Sequence, residues 1–480
     1  TLNGNLSIGN GQAFTLLSDA NGTAFVANNN GAVATGTATV QRYITPNLNP
    51  GPGYRHYSTP VSGNTVADFT TTGFTPIVNV AYNTSPNPPA VMPFPNVYSY
   101  NQSRLSLTNT SPEFDKGFQS PTALTDLLTP TSGYAVNISG TALVDFVGTL
   151  NTNSYSRVGL TRGTQATAGY QFLGNPYPSA IDYNTVRTNS TGIEDALYVY
   201  KSNGQYTGTY TSYVNGVSGN TGTNVLPIAQ GFFVRVATGQ TGAVNFTNAA
   251  RLNAPDNTLF QRTAADLRPR LSLTLRNTAS ANQTVVYFEQ GATPAFDAAF
   301  DAHYLPAIHG LDLASELSTG ALSINGQPEL TAATTVALRL HAAAAGTYTL
   351  AVDELLNMPA GYRAYLRDAL TSTYTDLTTT PSVFSTATPL ATAPAAVAQL
   401  VTIYPNPAHG TASLLLPQSL RTGTATQVTV VDNLGRTVLS RTLSATADAL
   451  QLPLDALRTG VYSVQAQTNA GVVAKRLVVE

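Results

Sequence analysis

The sequence predicts an all-β protein: tandem β-sandwich domains ending in a seven-stranded immunoglobulin-like C-terminal domain. Three observations carry this. Charged residues make up 10% of the chain, against about 25% in ordinary globular domains; the Glu, Lys and Arg of exposed helix faces are scarce, while β-branched and aromatic residues abound. Short apolar runs alternate with polar residues at a period of two. Gly, Pro, Asn and Asp part these runs at short intervals.

A hydrophobic fraction of 42% separates the chain from disordered sequences, which bury too little apolar surface to offset the entropy of ordering. Its 480 residues suggest about three domains of roughly 150 residues. A net charge of −2 leaves no footprint for nucleic acid or an anionic membrane surface. The absence of cysteine removes disulfides, Cys-ligated zinc and thiol catalysis together. No stretch approaches the ~18 apolar residues of a transmembrane segment. The opening at Thr1 shows no charged-then-apolar leader, which reads as a signal already removed or as a fragment.

Residues 1–46 read as a β lead-in. Leu2, Leu6 and Ile8 alternate with polar residues over residues 1–9, a strand with one apolar face, and Asn10-Gly11 supplies a turn. A-F-T-L-L-S and T-A-T-V-Q-R-Y-I add strands on either side of an N-N-N-G turn at 28–31.

Residues 47–165 and 166–265 read as two related β units. G-Y-R-H-Y-S-T-P at 53–60 echoes G-Y-Q-F-L-G-N-P at 169–176. G-Y-A-V at 133–136 matches G-F-F-V at 231–234, and Phe146 or Phe246 follows 13 or 15 residues later. Gly-aromatic strands also recur in β proteins without duplication. In the second unit A-L-Y-V-Y, a turn at Asn203-Gly204 and Q-Y-T-G-T-Y-T-S-Y make a hairpin. Its tyrosines, Tyr206 and Tyr210 among them, either pair across the ribbon or offer a sugar-stacking face.

Residues 266–388 read as a further sandwich, with strands in L-S-L-T-L-R, Q-T-V-V-Y-F, T-T-V-A-L-R-L and G-T-Y-T-L-A-V and a short helix or turn near 295–303. The Ala, Pro and Thr-rich segment 389–400 is a linker. From 401 to 480 there are seven short strand-like runs, the size of an immunoglobulin-like sandwich.

No standard catalytic signature is present: G-x-S-x-G, H-E-x-x-H, the P-loop and G-x-G-x-x-G are all missing. The one cluster with metal-like spacing is Asp297, Asp301 and His303. A structural turn whose carboxylates accept backbone bonds explains it better, and neither a metal nor another cofactor is expected.

Tyr404, Pro405, Asn406 and Pro407, the V-V-D-N-L-G-R-T-V run with Asp432 and Gly435, the T-G-V-Y-S-V run with Gly460 and Tyr462, and the closing K-R-L-V-V-E with Lys475 together resemble the type A C-terminal sorting domain of the type IX secretion system of Bacteroidota. The prolines fix φ and remove two N–H donors, so the first strand stops there. G-Y-Q-F-L-G-N-P-Y-P-S-A-I-D-Y at 169–183, G-F-F-V at 231, F-D-A-A-F-D-A-H-Y at 296–304 and L-S-I-N-G-Q-P at 322–328 resemble the Gly-Asn-Pro-Tyr-Pro-Ser surface proteins of the same phylum. Such proteins often carry Trp where this chain has Tyr170 and Tyr183.

These resemblances imply an extracellular or outer-surface protein handled by the type IX secretion machinery, with surface polysaccharide as an attachment partner after export. The leading expectation is a non-enzymatic structural or adhesive protein. It includes homo-oligomer or filament formation by strand addition through Leu2, Leu6 and Ile8. The alternatives are a carbohydrate-binding module using Tyr206 and Tyr210, and a glycoside hydrolase using Asp297 and Asp301.

Overall fold

A computed structural model describes residues 2–27, 33–44, 49–253, 266–278, 280–306, 311–331, 333–342, 345–368, 373–386, 390–391, 400–421, 425–432, 437–444, 449–468 and 471–480. The chain divides into two compact units, Thr1–Asp266 with Asp297–Ile308, and Leu267–Phe296 with His309–Glu480. In both, strands are the dominant regular structure among the described residues. Among the described residues no helix is long and apolar enough to cross a membrane.

In the first unit two sheets share one plan. The first runs Phe118–Gln119, Val97–Tyr100, Tyr134–Ser139, Pro52–Tyr57. The second runs Gly208–Val214, Leu197–Ser202, Gly231–Arg235, Tyr170–Gly174 in the same order, with Val217–Gly219 added outside Gly208–Val214. The Gly-aromatic echo of the sequence falls on corresponding strands, and the registers agree. Ala135 opposes His56 and Tyr98 as Phe233 opposes Phe172 and Tyr198. Tyr54 opposes Asn137 as Tyr170 opposes Arg235.

Alternation along each strand puts these rings on one face of each sheet, and the two faces meet. The Phe172 and Phe233 rings stack at 4.5 Å, His56 lies 4.6 Å from Phe172, and Tyr100 meets Phe233 edge-on at 5.1 Å. The opposite faces close separate apolar cores. Tyr57, Val136 and Ile138 pack with Phe69 and Phe146 in one; Phe232 and Val234 pack with Tyr183 and Phe246 in the other.

The Gly-Asn-Pro-Tyr-Pro-Ser run at 174–179 is a staple of this unit. Asn175 is wholly buried, and its amide donates to the carbonyls of Ser179, Leu226 and Pro227 at 2.8, 3.2 and 2.9 Å while its oxygen accepts from Tyr177 N. Gly174 is required because a Cβ there would stand 2.1 Å from Cβ of Ser58. Arg251 lies over the Tyr177 ring and donates to Ser179 Oγ and to the Val26 carbonyl, tying the lead-in to the motif.

The N-terminal strand expected over residues 1–9 is only Leu6–Ser7, paired in parallel with Ala34–Thr35. Leu2, Leu6 and Ile8 are partly buried against the chain's own core. The lead-in strand Ala38–Tyr43 pairs with Leu143–Leu150, so residues before 46 complete a sheet of the first β unit. The turn at 28–31 lies outside the described residues.

In the second unit a long sheet runs Ser382–Thr386, Gly346–Leu356, Arg270–Arg276, Ala281–Phe288, Gly320–Gln327, Leu311–Leu317, Leu338–Ala342 and Leu390–Ala391. Leu273 and Leu275 pack with Leu311, Leu313 and Leu350 in one core, so the sheet bends over itself. The C-terminal region holds all seven expected strands, in a three-stranded sheet (Thr402–Tyr404, Thr411–Leu415, Ala449–Pro453) and a four-stranded one (Thr437–Leu443, Thr426–Val431, Gly460–Thr468, Gly471–Val479) around one core.

Candidate functional site

At one end of the aromatic seam in the first unit lies a cavity of about 490 Å³, within the usual size of a small-ligand site. Tyr54 and His56 project into it from Pro52–Tyr57, Tyr98 from Val97–Tyr100, Ala135 from Tyr134–Ser139, and Tyr200 and Tyr210 from the hairpin of the second sheet. The short 3-10 helices Val80–Asn83 and Phe114–Gly117 add Tyr82 and Asp115, and loops add Phe94 and Tyr206. The rings hold one another edge-on: Tyr82 to Tyr98 at 5.2 Å, Tyr54 to Tyr98 at 6.0 Å, and Tyr200 to Tyr210 at 5.2 Å.

The two similarly ordered sheets differ at two positions of this seam, of which Ala135 lines the cavity. Phe233 fills the seam in the second sheet, and its counterpart in the first is Ala135. Arg235 places its guanidinium 4.9 Å over the Tyr170 ring and donates to the Ala166 and Ala168 carbonyls at 2.9 Å. Its counterpart is Asn137, which turns to the Gln205 carbonyl at 3.0 Å. The chain fills one end of the seam with a ring and a cation of its own and leaves the other open.

Asp115 sits in the short 3-10 helix Phe114–Gly117, at whose end Phe118 N donates to the Asp115 carbonyl. Gly117 allows this close approach, since a Cβ there would stand 2.3 Å from the Tyr100 ring. The carboxylate has no ion-pair or hydrogen-bond partner among the described residues, and burial pushes its pKa up to about 6. Its negative charge reaches Tyr54, Tyr82, Tyr100, Tyr200 and Tyr210, in each case adding to burial in raising the phenol. His56 is pushed down to about 3 by burial, so its imidazole is neutral at physiological pH.

The two tyrosines proposed from the sequence both line this cavity, in different ways. Tyr206 stands at the rim, 50% exposed, with its ring 6.4 Å from Tyr54; Tyr210 is 8% exposed and belongs to the wall. The cross-strand role holds for Tyr200 and Tyr210, which oppose each other in the hairpin. Sequence reasoning counted Tyr200 among the hairpin rings and missed Tyr54, His56, Tyr98, Asp115 and Ala135. The one available signal was G-Y-A-V-N against G-F-F-V-R, where small and neutral residues replace a ring and a cation.

A second, polar groove of about 620 Å³ includes Gln102, Gln119 and Gln171. Their amides are spent on the protein: Gln102 and Gln171 on Thr161, Gln119 on Ser99.

Asp297, Asp301 and His303 do not gather as ligands. Asp301 is buried and its carboxylate accepts from Asp297 N at 2.6 Å, closing a turn where a short helix or turn was expected. His303 points to Glu194, 3.6 Å away, which Arg162 bonds at 2.9 Å. Among the described residues no three His, Cys, Asp or Glu side chains come together around a common point. Neither aspartate lines the two cavities.

In the C-terminal module the first strand ends at Tyr404, before the prolines. Asn406 then bridges to the last strand, donating to the Arg476 carbonyl at 2.7 Å and accepting from Val478 N at 2.8 Å. Gly460 opens its strand opposite Val479, Tyr462 donates to the Arg458 carbonyl, and Lys475 pairs with Val464. Asp432 follows Thr426–Val431, and Gly435 lies outside the described residues.

Residues 1–392 match the family model of a domain of unknown function (DUF8693), and residues 402–480 match that of a secretion system C-terminal sorting domain. No curated protein matches the chain. Among solved structures, dimeric latent PorU from Porphyromonas gingivalis is similar at 12% identity over 75% of this chain, which spans 36% of that protein, with a TM-score of 0.14. The BSP domain of a biofilm associated protein is similar at 10% identity over 95% of this chain and 97% of that one, also with a TM-score of 0.14. At such scores neither likeness carries an argument.

Proposed function

Because the chain belongs to the family of the domain of unknown function DUF8693 and its sorting tail marks it for type IX export, we propose that it is a non-enzymatic binding protein of the cell exterior, acting as an adhesive or capture module. One observation carries this reading: the open end of the aromatic seam, with Ala135 and Asn137 where the duplicate holds Phe233 and Arg235. A seam that could have been filled and is left hollow beside an unpaired carboxylate is organised to receive something.

A thermal-shift screen of neutral, acidic and basic small molecules tests the proposal. Hits are expected on the wild type and lost in Ala135→Phe, which restores the filling ring. Hits that persist in Ala135→Phe, or a complete lack of hits, refute it.

Glycan binding is a second reading, favoured by the half-exposed Tyr206 ring at the rim. A glycan array with binding lost in Tyr206→Ala supports it, and an array with no binding removes it. Filament formation by donation of residues 1–9 requires exchange of the Leu6–Ser7 pairing out of its own chain.

A further inference from the structure

Resting on the reading of the cavity as a ligand site, we propose that its ligand presents an organic cation, a guanidinium or alkylammonium group, seated among the Tyr54, Tyr98 and Tyr200 rings and neutralised by the Asp115 carboxylate.

The internal duplication supplies the template. At the closed end of the seam the chain itself places a guanidinium on a tyrosine, Arg235 over Tyr170, with the carboxylate of Glu194 close enough to perturb that phenol. At the open end the two rings have counterparts and a carboxylate from a different element stands nearby, whereas Glu194 at the closed end is already bonded by Arg162 at 2.9 Å. Tyr54 replaces Tyr170, Tyr98 replaces Tyr198, and the acid is Asp115. Asn137 holds the place of Arg235 and carries no charge.

The chemistry of the walls selects the same class. Ring faces carry negative potential and attract cations, most strongly where water is excluded. His56 is neutral and adds no competing positive charge. The half-buried Asp115 carboxylate has no partner among the described residues, and burial disfavours its charged form until a counter-charge arrives. An anion would meet Asp115 and six tyrosine rings, with no Lys or Arg among the lining residues to pair with. A neutral sugar would leave the carboxylate uncompensated in part.

Calorimetric titration of the full chain at pH 7.5 with N-acetylarginine amide and its neutral isostere N-acetylcitrulline amide, and with choline and its neutral isostere 3,3-dimethylbutan-1-ol, tests the assignment. Each cation is expected to bind at least about tenfold more tightly than its isostere, and Asp115→Asn is expected to erase that ratio. Asn137→Arg, which rebuilds the Arg235 arrangement at the open end, is expected to abolish binding while the chain stays folded. A preference for the arginine amide assigns a guanidinium, as on a peptide side chain; a preference for choline assigns a free alkylammonium; either supports the proposal. Equal binding of cation and isostere, an unchanged ratio in Asp115→Asn, or no binding of either cation overturns it. In those cases the cavity reading still stands if the broader screen finds neutral or acidic hits that Ala135→Phe removes.

Discussion

The imidazole of His56 lies nearly flat on the ring of Tyr200, centroids 5.1 Å apart and planes inclined by 21°. The contact joins the two duplicated sheets and places a buried, neutral histidine in the same cavity as the Asp115 carboxylate.

These two groups titrate against each other. His56 falls from an ordinary value of 6.5 to about 3, so its burial contributes stability that is lost as the pH falls from 6.5 toward 3. Asp115 rises from 3.8 to about 6, so it costs stability above pH 6, a cost relieved as the pH falls toward 3.8. Between about pH 4 and 6 the two slopes oppose, and the surrounding phenols do not titrate there. Asp115→Asn is therefore expected to stabilise the protein at pH 7 by on the order of 2 kcal/mol and to unmask a rise of about 1 kcal/mol per pH unit between pH 4 and 6. Urea unfolding at each pH measures both; an Asp115→Asn profile as flat as the wild type would contradict the burial of His56.

Asn175→Ala leaves three buried carbonyls without their donor and is expected to cost about 3 kcal/mol. Asn175→Asp should cost more, because a carboxylate would face those carbonyls. Chemical denaturation resolves the order.

Arg235→Ala empties the closed end of the seam and removes the donor of Ala166 and Ala168. A loss of about 3 kcal/mol is expected, with partial recovery on adding methylguanidinium at low concentration. The test is whether the gain in Tm exceeds that of the wild type under the same conditions.

Deleting residues 1–9 removes Leu2, Leu6 and Ile8 from the core and the pairing with Ala34–Thr35. The Tm should fall by several degrees, and a synthetic peptide of residues 1–9 should restore it in trans. Sedimentation of the truncated chain reports whether assembly also changes; recovery without any change in mass assigns the strand a purely internal role.

In the sorting module, Asn406→Ala frees Val478 N and the Arg476 carbonyl. Hydrogen exchange at Val478 is expected to rise at least tenfold, while the Gly460–Thr468 strand stays protected.

Much of this fold could be read in advance. Period-two patterning found the seven C-terminal strands, and the Gly-aromatic echo fell on strands that share one sheet order. The strand Leu311–Leu317 was passed over. It opens with the alternation Leu311, Asp312, Leu313, which Ala314 and the consecutive Ser315 and Glu316 then break. The cavity was not read. Tyr206 and Tyr210 were singled out from one hairpin, yet their neighbours come from strands and turns near residues 54, 98, 115 and 135.

What the amino-acid order determined by itself is therefore local: which runs extend, where they turn, and that the chain ends in a module marked for export. Pleating and turn chemistry act over a few residues, so a linear pattern records them. Only the tertiary structure decided that Phe233 and Arg235 close one end of the aromatic seam, while the other holds a cavity lined by Ala135, with Asn137 turned to the Gln205 carbonyl. That outcome depends on the volume and charge that facing sheets bring to the same place, and no single stretch of sequence contains both sides.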